Sequence, residues 1–245
     1  LGFPDGPHAA DHSQANGMNA TNWVPRTNVP AMEPVILAWS LSKDLHLLNP
    51  GAHDERLMEA EAVLGRKIPA SLRAVYEITD GAAFFSGLII DPLLRDDGKL
   101  CFSRNSDWLR SVGWEIPREL AIFGGNGGDV VYGIWLPRSE RALSDSAVVE
   151  VSGPNTEMRF MALAGTSFAR FATWLTSYCL LGDLPGHSKA LEALGVPERL
   201  RREPDFETYV ELCRWADPDL PHYPPDVYTT PASLNWLRRN FGAAE

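Results

Sequence analysis

Cysteine is scarce in this 245-residue sequence: Cys101, Cys179 and Cys213 stand far apart and odd in number. None forms the C-x-x-C pair that zinc ribbons and dithiol exchange require, and the scarcity fits a reducing cytoplasm. No stretch of about 18 apolar residues occurs, which argues against membrane insertion. The first residues lack the basic-then-apolar order of a signal peptide, which disfavours secretion, although a chain starting at Leu1 is also what processing would leave. Asn19-Ala20-Thr21 matches the glycosylation triplet, but so short a pattern arises by chance.

Catalytic and metal-binding patterns are missing as well. The histidines His8, His12, His46, His53, His187 and His222 supply no helical i, i+4 metal pair, because His8 and His12 fall in a Gly/Pro-rich arm. No G-x-S-x-G elbow is present. Asp91, Asp96 and Asp97 around Gly98 lack the alternating oxygens and terminal Glu of a calcium loop. No cofactor or metal is expected. Basic charge is in deficit, with 22 Lys and Arg against 32 Asp and Glu and a net charge of −10. That balance repels phosphate backbones, so nucleic acid is excluded as a partner and a basic protein is favoured.

What is abundant is core material: 44% of residues are hydrophobic and eight are Trp, enough for a packed domain. Residues 1–32 show no sustained apolar period and read as an irregular, removable arm. A helix is expected from Glu33 to about Leu48, with Ala38, Leu41, Leu45 and Leu48 on one face. A second is expected over Asp54–Leu64, stopped by Gly65, and a third with Pro69 in its first turn, carrying Leu72, Val75, Tyr76 and Thr79 on one stripe.

Beyond Gly81 the period shortens to β-type runs at 87–90, 100–102, 120–123, 130–136, 147–151 and 159–163, with a short helix at 106–112. A long helix then begins near Thr166, placed to cap it, and buries Phe168, Phe171, Ala172, Leu175 and Cys179. Helices, then a mostly antiparallel sheet, then a helix make an α+β domain over 33–183. Residues 184–245 read as a helical, Pro-rich extension, with a helix at 205–215 showing Phe206, Tyr209, Val210 and Cys213 on one face and a last helix presenting Leu234, Leu237 and Phe241.

Gly124-Gly125-Asn126-Gly127-Gly128-Asp129 invites a phosphate loop, but such a loop must lead into a helix N-terminus, and here a β run follows. Asn-Gly between two apolar β runs predicts a hairpin.

Three motifs in order carry a resemblance. Glu59-Ala60-Glu61-Ala62-Val63-Leu64-Gly65 is followed by Ile68-Pro69-Ala70-Ser71-Leu72-Arg73 and Thr79-Asp80-Gly81. Next come Leu120-Ala121-Ile122-Phe123-Gly124, Asn126 to Asp129 and Val130-Val131-Tyr132, and finally Ser167-Phe168-Ala169-Arg170-Phe171. Over 33–183 this resembles the SUKH superfamily of bacterial immunity proteins and fungal cell-wall regulators; it departs in having Ile68 where Leu is frequent and in its added arm and extension. The resemblance implies an α+β domain without cofactor that neutralises a bacterial toxin, commonly a nuclease, by direct binding. A regulatory scaffold in a signalling or cell-wall pathway is the alternative, and an unrecognised hydrolase the second.

Candidate partner-binding residues are Glu77, Asp91, Asp96, Asp97 and Asp107 on an acidic face, with Asp80, Asn126 and Asp129 from the motifs, where turn and cap chemistry competes with a binding role. Asp205, Glu207, Glu211, Asp217 and Asp219 form the next densest acidic group. Phe84, Phe85, Trp108, Trp114 and Trp135 read as core unless they protrude together.

Overall fold

A computed structural model describes residues 27–85, 88–94, 104–111, 113, 116–127, 130–136, 143–152, 160–182, 184–220 and 230–241. Its centre is a seven-stranded sheet whose spatial order follows the chain, every pair antiparallel: β1 (His46–Leu48), β2 (Ala82–Phe84), β3 (Leu88–Ile90), β4 (Leu120–Gly125), β5 (Val130–Trp135), β6 (Val148–Ser152) and β7 (Phe160–Gly165). Eight α-helices flank it among the described residues: α1 (Glu33–Leu41), α2 (Asp54–Leu64), α3 (Ala70–Ile78), α4 (Arg104–Ser111), α5 (Phe168–Leu181), α6 (Leu184–Ala193), α7 (Phe206–Ala216) and α8 (Thr230–Phe241). The fold is α+β, as the order of patterns implies.

Alternation along the strands separates two cores. Ala82, Phe84, Leu88, Ile90, Ala121, Phe123, Tyr132, Ile134 and Val148 face inward with α1, α2, α3, α5, α6 and α7. Leu120, Ile122, Trp135, Val149, Val151, Met161 and Leu163 face the other way, packed with Leu109 of α4 and Leu237 of α8. Helices after 183 therefore share the core of the α+β domain: Ala190, Leu191, Leu212 and Cys213 are buried in the inner cluster. Met32 is also wholly buried, so the arm joins the core at its end. Residues 1–26 lie outside the described residues.

The first helix is shorter than its apolar period suggests. It ends at Leu41; Ser42 Oγ donates back to the Ala38 carbonyl at 2.8 Å, a 3-10 turn (Lys43–Leu45) follows, and His46–Leu48 leaves as β1. Val35, Ile36, Ala38 and Trp39 form its buried face, while Leu41 is exposed. At the start of α5 the cap is Ser167, whose hydroxyl accepts from Arg170 N at 3.2 Å, and not Thr166. Asp205 caps α7, but Phe206 is 67% exposed, outside the face assigned to it. The run at 100–102 falls outside the described residues.

Two glycines are fixed for different reasons. Gly65 ends α2 at φ +66°, with open space where a Cβ would stand. At Gly124 a Cβ would meet the Ile89 carbonyl oxygen of the neighbouring strand at 1.9 Å. Gly65→Ala is expected to cost about 1 kcal/mol, the ordinary left-handed penalty. Gly124→Ala is expected to cost roughly 3 kcal/mol or more by prising β3 from β4. Urea midpoints of the two variants check this; equal losses would contradict it.

Candidate functional site

Two of the acidic candidates, Asp80 and Asp217, are committed inside the fold. Asp80 is buried: its Oδ1 accepts from Leu93 N at 2.7 Å and its Oδ2 pairs with Arg56, tying the end of α3 to the exit of β3. The motif residue Glu61 does similar work between α2 and α3, accepting from Ile68 N at 3.1 Å and from Lys67 Nζ at 2.6 Å. Asn126 Oδ1 accepts from Val130 N at 3.3 Å in the β4–β5 hairpin, where Gly127 takes φ +76°. The hairpin reading of the glycine-rich loop is thus correct.

Exposed Glu77 is paired with Arg73 at 3.1 Å, and exposed Asp107 with Arg110 at 2.8 Å. Asp91 is half-buried, its carbonyl accepting from the Tyr76 hydroxyl at 3.0 Å. Asp96, Asp97 and Asp129 lie outside the described residues, as do Trp114 and the side chain of Trp108. Phe84 and Trp135 are buried and Phe85 is half-buried, so these rings do not form a protruding group. In the extension, Asp217 is internal, accepting from Thr166 N at 2.6 Å and Thr166 Oγ1 at 2.7 Å and pairing with Arg170 at 3.0 Å. Asp205, Glu207 and Asp219 are exposed, and Glu211 is half-buried.

Strand register reveals a surface that composition did not. Leu47 pairs with Ala83, and Ala83 with Ile89, so the three form one cross-strand row. Their neighbours Phe84, Leu88 and Ile90 point into the inner core, which turns the row to the opposite face. Over β4–β7 that face is covered by α4 and α8; at β1–β3 no described helix packs on it, and Leu47 is 68% and Ile89 41% exposed. Gly125, which pairs with Ile89, extends the row toward the covered half without adding a side chain. The row ends at β1, whose outer edge has no neighbouring strand among the described residues. The β run at 87–90 was visible in the sequence, but the row required the pairing of β1 with β2, two strands that the periodicity did not show.

Beneath Leu47 the next residue points inward. The His46 ring packs edge-on against Phe84 and Phe85, with centroids 5.1 and 4.6 Å away. Its Nε2 stands 3.2 Å from Ser42 Oγ. That hydroxyl already gives its proton to Ala38 O, so Nε2 is the donor and Nδ1 is left a buried acceptor without a hydrogen bond. Burial lowers the His46 pKa to about 4, opposed by backbone carbonyls and Asp44 and reinforced by His187.

The arrangement offers an apolar, strand-edged surface; among the described residues no three His, Cys, Asp or Glu side chains gather as metal ligands. No protein-family model matches the chain, and no curated protein matches it.

A pH dependence follows from His46. Its folded-state pKa lies below the unfolded value of 6.5, so its contribution is present above that value and lost as pH falls toward about 4. The loss amounts to roughly 3 kcal/mol. His46→Leu is expected to flatten this part of the stability–pH curve, measured by urea unfolding between neutral pH and the acid limit; an unchanged slope would show that the ring is not desolvated.

Proposed function

We propose that the protein acts by binding another protein, basic in charge, and not by catalysing a reaction. The observation that carries this is the Leu47–Ala83–Ile89 row at the edge of the sheet, with Leu47 and Ile89 exposed on either side of half-buried Ala83. Exposed apolar rows on an edge strand are costly in an isolated protein because they promote association, and a partner's apolar face or strand relieves that cost. The net charge of −10 selects among partners, since complementary charge accelerates encounter and disfavours acidic competitors.

The chemistry of Cys179 agrees. Burial pushes its thiol up to about 11, the reverse of an activated nucleophile. The SUKH resemblance over 33–183 supports the particular reading of an immunity protein that neutralises a basic toxin domain, commonly a nuclease, in the cytoplasm. No described helix is long and apolar enough to cross a membrane.

The test is affinity capture from the native host with the full chain as bait, run in parallel with a Leu47→Asp/Ile89→Asp variant. A basic protein is expected, captured at least about tenfold less by the variant. The variant's melting midpoint should stay near that of the parent, because both side chains are exposed. The association rate should fall with added salt. Equal capture by both chains, or capture of acidic proteins alone, would overturn the proposal.

A further inference from the structure

A second unusual environment lies on the inner face of the sheet, away from the exposed row. In the β5–β6 pair Tyr132 stands opposite Glu150 and Val130 opposite Ser152, so an acid, a phenol and a hydroxyl share one face. That face is roofed by α5 and α7. Tyr132 and Phe171 rings lie 4.9 Å apart, Phe171 and Trp174 5.6 Å, Trp174 and Tyr209 5.5 Å, and Tyr209 and Tyr178 5.2 Å. The Trp174 indole is held in place by donating to the Ala164 carbonyl at 2.9 Å. Glu150, Tyr178, Cys179 and Tyr209 are half-buried, so this group of side chains reaches solvent on one side.

The acid and one hydroxyl of this group have no side-chain or backbone partner among the described residues. Among the described residues no hydrogen bond or ion pair reaches the Glu150 carboxyl, whose proton affinity is raised by burial. Tyr132 is raised by burial first, then by the charges of Glu150, Tyr209 and Cys179. Ser152, only 7% exposed, has a buried Oγ with no hydrogen bond. Interiors seldom leave such a hydroxyl beside an unpaired acid, because an unsatisfied buried group costs free energy. The chain could have satisfied an acid here with a basic side chain, as it does for Glu61, Asp80 and Asp217.

The missing element has a definite sign. A desolvated carboxylate attracts positive charge, and the faces of aromatic rings carry negative potential that favours cations. Hydroxyls of Ser152 and Tyr132 can accept from an N–H donor. We propose that the cluster formed by Glu150, Tyr132, Ser152 and the aromatic side chains of α5 and α7 binds an organic cation, a guanidinium or alkylammonium group, with Glu150 as its counter-ion. This site is separate from the Leu47–Ala83–Ile89 row, and its test does not depend on finding a protein partner.

The experiment titrates the full chain at neutral pH with N-acetyl-arginine amide, following the Trp174 indole N–H by NMR. N-acetyl-citrulline amide, of the same shape without charge, is the control. A saturable shift is expected with the arginine probe and an affinity at least about tenfold weaker with the citrulline probe. Glu150→Gln should weaken arginine binding by a similar factor. It should also raise the melting midpoint at neutral pH: an acid that holds its proton more tightly when folded loses stability as pH rises through its folded-state pKa, and the amide removes that loss. The gain should vanish below the ordinary carboxyl range. If Glu150→Gln does not fold, the arginine–citrulline comparison on the parent chain still decides.

Butylguanidinium and an acetyl-Gly-Arg-Gly-amide peptide separate two sources of the cation. Tighter binding of butylguanidinium marks a small-molecule site, and tighter binding of the peptide marks an acceptor for a polypeptide side chain. No saturable shift with any cationic probe, or equal binding of citrulline and arginine, would overturn the proposal.

Discussion

The position of α5 is the constraint on which the rest depends, and three side chains from different parts of the chain fix its N-terminus. Asp145, just before β6, accepts from Phe168 N at 2.8 Å and Ala169 N at 3.2 Å while also accepting from Ser71 Oγ of α3 at 2.6 Å. Ser167 satisfies Arg170 N from within the turn. Asp217, at the end of α7, holds Thr166 through both its backbone and its hydroxyl. Free N–H groups and the positive end of the helix dipole are thus met by two carboxylates, which lock α3, α5 and α7 into one arrangement. Phe168, Phe171, Trp174 and Leu175 then face the sheet and neighbouring helices as one wall of the inner core.

This anchoring explains why the extension is not an independent lobe in physical terms. Asp217 is placed to serve α5, and Leu212 and Cys213 of α7 fill the same apolar volume as strand residues. On the other face α8 closes the cover over β7 with Leu237. Two faces of one sheet are therefore buried by helices drawn from both halves of the chain, and among the described residues the outer side of β1–β3 keeps Leu47 and Ile89 exposed.

Much of this was legible in residues that act locally. Gly65 ends α2 because it tolerates positive φ, and Pro69, expected in the first turn of α3, stands one position earlier as its N-cap with ψ 144°. Asn126 and Gly127 mark the hairpin for the same kind of reason. What was not legible depends on distant partners. His46–Leu48 continues the apolar period of α1, and only pairing with Ala82–Phe84 makes it a strand. Thr166 and Ser167 are equally good caps in isolation; Asp217, 51 residues on, takes Thr166 away. Asp80 looks like a surface acid until Arg56 and Leu93 N are seen to occupy it. The isolation of Glu150 likewise depends on which side chains α5 and α7 bring over the sheet.

The central claim is that the protein binds through the open half of its outer sheet face, and hydrogen exchange on the full chain, alone and saturated with its captured partner, tests it most directly. The account expects added protection at 46–48, 82–84 and 88–90, strongest at the edge strand β1. Protection confined to other segments, with these three strands exchanging as they do in the free chain, would contradict it.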